Sequence, residues 1–302
     1  MEATTISIPR LIPTLHRQRP SSQYTQPSLL LLLQNQLSLT TWLAIGAFLQ
    51  LLLLALPVRR TYAALPTTAF LAVRLLDTFL QSYNLRSNPA MNDIIPGLTT
   101  AHLPAAPGET TSSAVGQGKI CVVILSVRSN HPLGILAPRM KEMGQHFERL
   151  QKELEDKAAE YGFLGASSAL ATSDGRSSGN TLINIMYFRS AAHVHAFAHG
   201  AAHLETWGWW AEMKKAEVEA RKGGKAGLGA SDLISISHEV FEAEGGKWEA
   251  LWENSAPIGL GAAVVDVKDR DENGKEKVRW GSPLVQAKGV MRSWTARMGT
   301  VA

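Results

Sequence analysis

The stretch Ile120-Cys121-Val122-Val123-Ile124-Leu125-Ser126-Val127 opens the part of the chain that decides the fold. It is a β-rich apolar run, short enough for a buried strand. Asn130-His131-Pro132-Leu133-Gly134 follows as a turn. From Ala137 to Tyr161 the pattern predicts a helix. Met140, Met143, Phe147, Leu150, Leu154, Ala158 and Tyr161 recur at steps of three and four, with Lys and Glu between. Gly162 is its natural stop. Phe163 to Ala171 reads as a strand, Ser173-Asp174-Gly175 as turn chemistry, and Thr181 to Phe188 as the returning strand. Ser190 is placed to cap a helix running to about Gly200, and His203 to Ala220 is a further helix. After the glycine-rich loop Arg221 to Ala230, Leu233 to Phe241 is the last strand. The order β-α-β-β-α-β predicts an α+β fold of the ferredoxin-like plan, a four-stranded antiparallel sheet with two helices on one face. The other face needs a cover. No internal duplication supplies one, so a homodimeric α+β barrel is expected.

Upstream the chain is oily. Leu29 to Leu33 is a run of five leucines, and no Asp, Glu, Lys or Arg occurs from Pro20 to Val58. Leu37 to Val58 is long enough for a spanning helix, and Arg59-Arg60 follows as a charged stop. Thr61 to Leu80 is weaker, with Pro66, Arg74 and Asp77. A charge at the bilayer centre is costly, so this segment is expected on the membrane or as the second arm of a hairpin. Arg74 and Asp77 are spaced to pair on a helix face. A secretory signal peptide fits poorly, because its apolar core lies nearer the N-terminus. The arginines after the span and the absence of any Asn-x-Ser/Thr sequon favour a cytosolic main domain on an endomembrane.

The 302 residues carry 45% hydrophobic and 19% charged residues. The charge deficit is local to the front segment, which excludes a disordered or collagen-like chain. A single cysteine, Cys121, excludes a disulfide scaffold and a cysteine zinc site. Net charge of +4 is mildly basic and spread out, which argues against nucleic acid as a partner. The chain divides into a polar and leucine-rich lead (1–36), a membrane anchor of one spanning helix plus an interfacial or second helix (37–86), a Pro/Gly/Thr-rich linker (87–118), the ferredoxin-like domain (119–258) and a C-terminal hairpin and tail (259–302). Asp271-Glu272-Asn273-Gly274 is the hairpin signal.

Several residues could carry chemistry. His195, His199 and His203 are each four apart, but they lie opposite the apolar arc of their helix and lack a carboxylate partner, so no metal site is expected. His238 shares a strand face with Ile234, Ile236 and Val240, which points it into the interior as a tunable base, a haem ligand or a satisfied core histidine. Asn130 and His131 sit just past the first strand, at a pocket mouth or merely in a capped turn. Trp207, Trp209, Trp210, Trp248 and Trp252 can wall a pocket for a flat apolar substrate or pack a core. No Gly-x-Gly-x-x-Gly, P-loop or Gly-x-Ser-x-Gly is found.

Further stretches carry a resemblance. They are Ile124-Leu-Ser-Val-Arg-Ser-Asn-His-Pro-Leu-Gly134, Glu160-Tyr-Gly-Phe-Leu-Gly165, Tyr187-Phe-Arg-Ser190, Phe197-Ala-His199, Trp207 to Trp210, His238-Glu-Val-Phe241, Trp248-Glu249 and Arg279-Trp-Gly-Ser-Pro-Leu284. Together these resemble the fungal monooxygenase-like family typified by the monooxygenase of the fumagillin biosynthesis cluster. That family is similar to antibiotic-biosynthesis-type monooxygenases with a dimeric α+β barrel. The resemblance implies oxidation of a lipophilic polyketide or terpenoid intermediate with O₂ as co-substrate, with either no cofactor or haem. Taken with the candidate residues above, the first hypothesis places a pocket between sheet and helices, with His238, His131 and Asn130 catalytic and Trp207, Trp210 and Tyr187 binding substrate. In a cofactor-independent reaction His238 would take a substrate proton and the carbanion would react with O₂. The alternatives are a haem oxygenase or aldoxime-dehydratase-like enzyme, and a non-enzymatic barrel that binds a ligand or partner.

Overall fold

A computed structural model describes residues 20, 37–57, 59–106, 117–170, 181–224, 227–270 and 276–298. Among the described residues two helices come first, α1 (Leu39–Ala55) and α2 (Arg60–Ser82), then strands β1 (Ile95–Ala101) and β2 (Ile120–Ser129). Helix α3 (Met140–Asp156) leads to β3 (Phe163–Leu170) and β4 (Thr181–Phe188). Helices α4 (Ala191–Ala198) and α5 (Ala201–Lys222) precede β5 (Ile234–Ala243) and β6 (Leu251–Ser255). The chain continues through β7 (Val265–Arg270), β8 (Glu276–Gly281), β9 (Leu284–Gln286) and the short α6 (Trp294–Arg297). The hairpin signal at Asp271 to Gly274 lies outside the described residues, between β7 and β8.

The main sheet has the order β3-β4-β2-β5, every pair antiparallel. Strands alternate their side chains, so each contributes one set to each face. On the helix face Cys121, Val123, Phe163 and Phe188 meet Leu154, Ala158, Tyr161 and Phe197. Aromatic rings hold its centre: Phe163–Phe188 centroids lie 5.5 Å apart and Tyr161–Phe197 5.6 Å in an edge-on pair. Gly162 ends the turn after α3 with φ +52, where a Cβ would meet the His193 ring at 2.7 Å.

The α4–α5 corner corrects the histidine stripe. Gly200 separates the two helices, and a Cβ there would lie 2.8 Å from the Tyr161 hydroxyl. Glu153 fastens the corner. Its Oε2 accepts the Ala202 amide at 2.7 Å, and its Oε1 accepts Tyr161 at 2.9 Å and Lys157 at 2.8 Å. His195 and His199 stay exposed, while His203 turns inward against Phe197. Ser190 begins α4, but its hydroxyl engages His193 Nδ1, and Glu242 of β5 accepts the Ala191 amide instead.

The presumed linker is partly a strand. β1 is central in a second sheet of order β6-β1-β9, so the segments before and after the main domain pair with each other. Pro96 and Gly97 are absorbed by an irregularity between Ile95 and Leu98, where Gly97 has φ +84 and donates to Asn254 Oδ1 at 2.8 Å. This layer packs on the other face of the main sheet through Ala101, Leu103, Ile120, Leu164, Leu260 and Val265. It covers only one end of that face.

At the front, α1 is a 17-residue helix with no buried residue. It ends before Pro57, so it spans about 26 Å, short of a hydrocarbon core of about 30 Å. Among the described residues α2, at 23 residues, is the helix long and apolar enough to cross a membrane. By length the second segment rather than the first meets the requirement for a span, while the first is the more apolar. The helices touch through Gln50 Nε2, which donates to the Ala63 carbonyl at 3.2 Å. Asp77 pairs with Arg86 and accepts Gln81 Nε2, rather than pairing with Arg74.

Candidate active-site cleft

A cleft of about 570 Å³ opens on the face of the main sheet away from the helices. Its floor is Ile120, Val122, Ser167, Ile185 and Tyr187, the outward set of β2, β3 and β4. Its wall is Trp248, Glu249, Ala250 and Trp252 with the turn Ile258 to Leu260. The pocket therefore lies on the side opposite to that expected. The reason is the partial cover: the second sheet stops part-way across, and the step it leaves is the cleft.

Each wall residue is held. The Trp248 indole donates to the Gly118 carbonyl at 2.9 Å. Trp252 lies against Gly261, where a Cβ would come within 3.2 Å of its ring. The carbonyl of Ala250 accepts from Thr100 Oγ1 at 2.7 Å. Glu249 pairs with the Nε of Arg297, a guanidinium that is itself buried and donates to the Met291 carbonyl at 2.9 Å. The last short helix is thereby tied to the cleft wall.

Tyr187 is the polar group of the floor. Burial raises its phenol above the ordinary value, with the Leu260 backbone opposing the rise. Gly259 lies directly over that oxygen with φ +56, and a Cβ there would stand 2.9 Å from it.

Residues 120–260 match a family model described as Monooxygenase af470-like. Over 293 residues, 96% of this chain and 97% of the relative, the sequence is 33% identical to "Monooxygenase af470" of Aspergillus fumigatus. The chain belongs to the Monooxygenase af470-like family. A solved Bacteroides thetaiotaomicron protein, described as of unknown function and a possible oxidoreductase, shares 11% identity over 42% of this chain and 99% of its own, with a TM-score of 0.25. A likeness that low bears on neither fold nor function.

The matched span of the family model runs from the first strand of the main sheet to the turn above Tyr187. Within it the residues expected to form one site are dispersed. Of the six, only Tyr187 lines the cleft. His238 lies on the helix side of β5, opposite Leu125, and is exposed rather than interior. The alternation holds, but β5 is an edge strand that α4 meets only at its Glu242 end, and at the level of His238 its aliphatic side is not covered. Asn130 and His131 stand at the far end of β2, roughly 26 Å from the Tyr187 level at about 3.3 Å per residue. Asn130 Nδ2 donates to Ser235 Oγ at 2.7 Å, and His131 Nδ1 accepts the Leu133 amide at 3.0 Å. These are turn-fastening contacts. On α5, Trp207 is exposed, and Trp210 lies under Lys214. Trp209 packs on His146 and donates to Glu142 at 3.1 Å. The cleft tryptophans are Trp248 and Trp252. Sequence reading missed Glu249, Gly259 and Arg297 as neighbours of the site, because their meeting depends on β6 returning over the sheet.

Proposed function

We propose that this chain is a monooxygenase that oxidises a lipophilic polyketide or terpenoid intermediate in the cleft above Tyr187, with O₂ as co-substrate. The observation that carries the reading is relationship over nearly the whole chain to a protein named a monooxygenase, together with an apolar cleft inside the matched span. Two indoles and five larger aliphatic side chains suit a flat apolar ligand, and the few polar groups suit its orientation. The chemistry balances without an added reductant when the substrate has an activated methylene. One oxygen atom of O₂ becomes the product carbonyl, and the other leaves as water with the two methylene hydrogens. Glu249 stands on the cleft wall as a carboxylate able to take the first proton, its orientation fixed by Arg297. Tyr187 orients the substrate. A haem does not fit here: the cleft lining has neither imidazole nor thiolate, burial disfavours the phenolate of Tyr187 that could otherwise ligate iron, and His238 stands exposed on an edge strand.

The test is metabolite profiling of the native host with and without the gene, grown under ¹⁸O₂. Loss of a product carrying one labelled oxygen supports the reading. An unchanged profile would leave a ligand-binding barrel instead. Two parts of the reading concern assembly. The exposed apolar surfaces of α1 and α2 sit in a membrane, which resistance of the full chain to alkaline carbonate extraction would support. A second copy of the chain covers the open half of the sheet, where Phe241 is 55% exposed.

A further inference from the structure

We infer that the Tyr187 hydroxyl is a dedicated hydrogen-bond donor to a ligand oxygen, so that the cleft selects planar apolar molecules bearing a carbonyl or enolate oxygen over their deoxygenated counterparts. The inference rests on reading the cleft as the substrate site. Two independent features carry it. The phenol oxygen lies on the cleft floor, with the Leu260 backbone facing it from the wall side. A phenol has one proton to give, and no acceptor for it is found among the described residues. The turn above it is built to approach closely: Gly259 adopts φ +56, and any side chain there would collide with the hydroxyl at 2.9 Å. The hydroxyl is thus hemmed in from above, and its proton is left for the cleft. The surroundings are Val122, Ile185 and Trp252, in which an unpaired ligand oxygen would be costly and a paired one is rewarded. A donor held in advance of the reaction also stabilises an oxygen that gains negative charge when a neighbouring carbon is deprotonated. A phenol is protonated at neutral pH, as a donor must be, and burial moves it further in that direction.

The test uses the full chain in nanodiscs with two tricyclic probes of the same shape, 9-fluorenone and fluorene. Tryptophan quenching gives each Kd, referred to free aqueous probe with empty nanodiscs as the partition control. The wild type is expected to prefer fluorenone by about threefold to tenfold, the size of one neutral hydrogen bond. The infrared carbonyl band of bound fluorenone should move to lower wavenumber. In Tyr187→Phe both the preference and the band shift should vanish, with the fluorene Kd unchanged as the folding control. A Tyr187→Phe chain that keeps the preference overturns the inference. If both probes bind the wild type equally, the inference falls while the cleft remains a binding site. If neither binds, the cleft reading falls as well.

Discussion

The two faces of the main sheet are written in the same strands and finished differently. Toward the helices, Cys121, Val123, Phe163 and Phe188 are buried under Leu154, Ala158 and Phe197. Toward the other side the alternate residues, Val122, Ser167, Ile185 and Tyr187, are covered only at one end and line a cleft. The closed face uses its side chains for cohesion, and its reactive group is silenced. Burial first, and then the Glu242 carboxylate, push the Cys121 thiol up to about 11, so it stays protonated and inert. The half-open face holds its polar groups in reserve. One sheet thus separates stability from chemistry by the two-residue period of its strands.

The largest effect expected follows from that division. Phe188 has no exposed surface and touches both Phe163 and Phe197. Phe188→Ala should cost about 3–5 kcal/mol, read as a fall in denaturation midpoint. Ile185→Ala, on the other face of the same strand, should cost well under half as much. Equal losses would erase the distinction between the faces.

A smaller effect is expected at the α4–α5 corner. Glu153 is nearly buried, which raises its carboxyl, but hydrogen bonds from Lys157, Ala202 and Tyr161 outweigh burial and hold it below its ordinary 4.5. The folded chain therefore binds that proton less tightly than the unfolded chain. The stabilisation is present above about pH 4.5 and is lost as pH falls through the folded value. Glu153→Gln should cost about 1–3 kcal/mol at neutral pH. The gap between variant and wild type should close on acidification. His203, held below 6.5 chiefly by burial, adds a loss of the same sign as pH falls below that value. Stability measured against pH in both chains checks the point, and parallel curves would refute it.

On the cleft side, Gly259→Ala combines a left-handed φ with a Cβ 2.9 Å from the Tyr187 hydroxyl. A cost of about 1–2 kcal/mol is expected, with loss of ligand discrimination exceeding loss of stability. If thermal stability fell sharply while probe selectivity held, the turn would be structural only.

The sequence made the closed face legible and the half-open face largely illegible. Steps of three and four from Met140 to Tyr161 with their stop at Gly162, and the β-rich runs Ile120 to Val127 and Thr181 to Phe188, are local signals that the sequence carries well. The resemblance drawn from the quoted motifs agrees with the family reached by comparison. The cleft is assembled by contacts across great sequence separation. Thr100 meets Ala250, and Gly97 meets Asn254, so a segment rich in Pro, Gly and Thr becomes a central strand only once β6 and β9 flank it. His238 fails for a related reason. Alternation assigns a residue to a face, but whether that face is covered depends on where the helices reach, and β5 lies at the edge.

The smallest effect on folding probes the open half of the sheet. Phe241 sits on the same face as Val122 and the cleft floor, pairs with Val122 in register, and is 55% exposed. Replacing so exposed a side chain should change the stability of a single copy by less than about 0.5 kcal/mol. A phenyl ring on an uncovered sheet face is nonetheless a strong contributor to any partner that covers it. Phe241→Ser should therefore leave unfolding of dilute protein almost unchanged while shifting sedimentation toward the monomer and weakening probe binding in the cleft beside it. The two readouts must move together if a second copy completes the face. A monomer in both chains, with probe affinity intact, would mean that the cleft is finished by the second sheet alone and that the open half of the sheet serves no assembly.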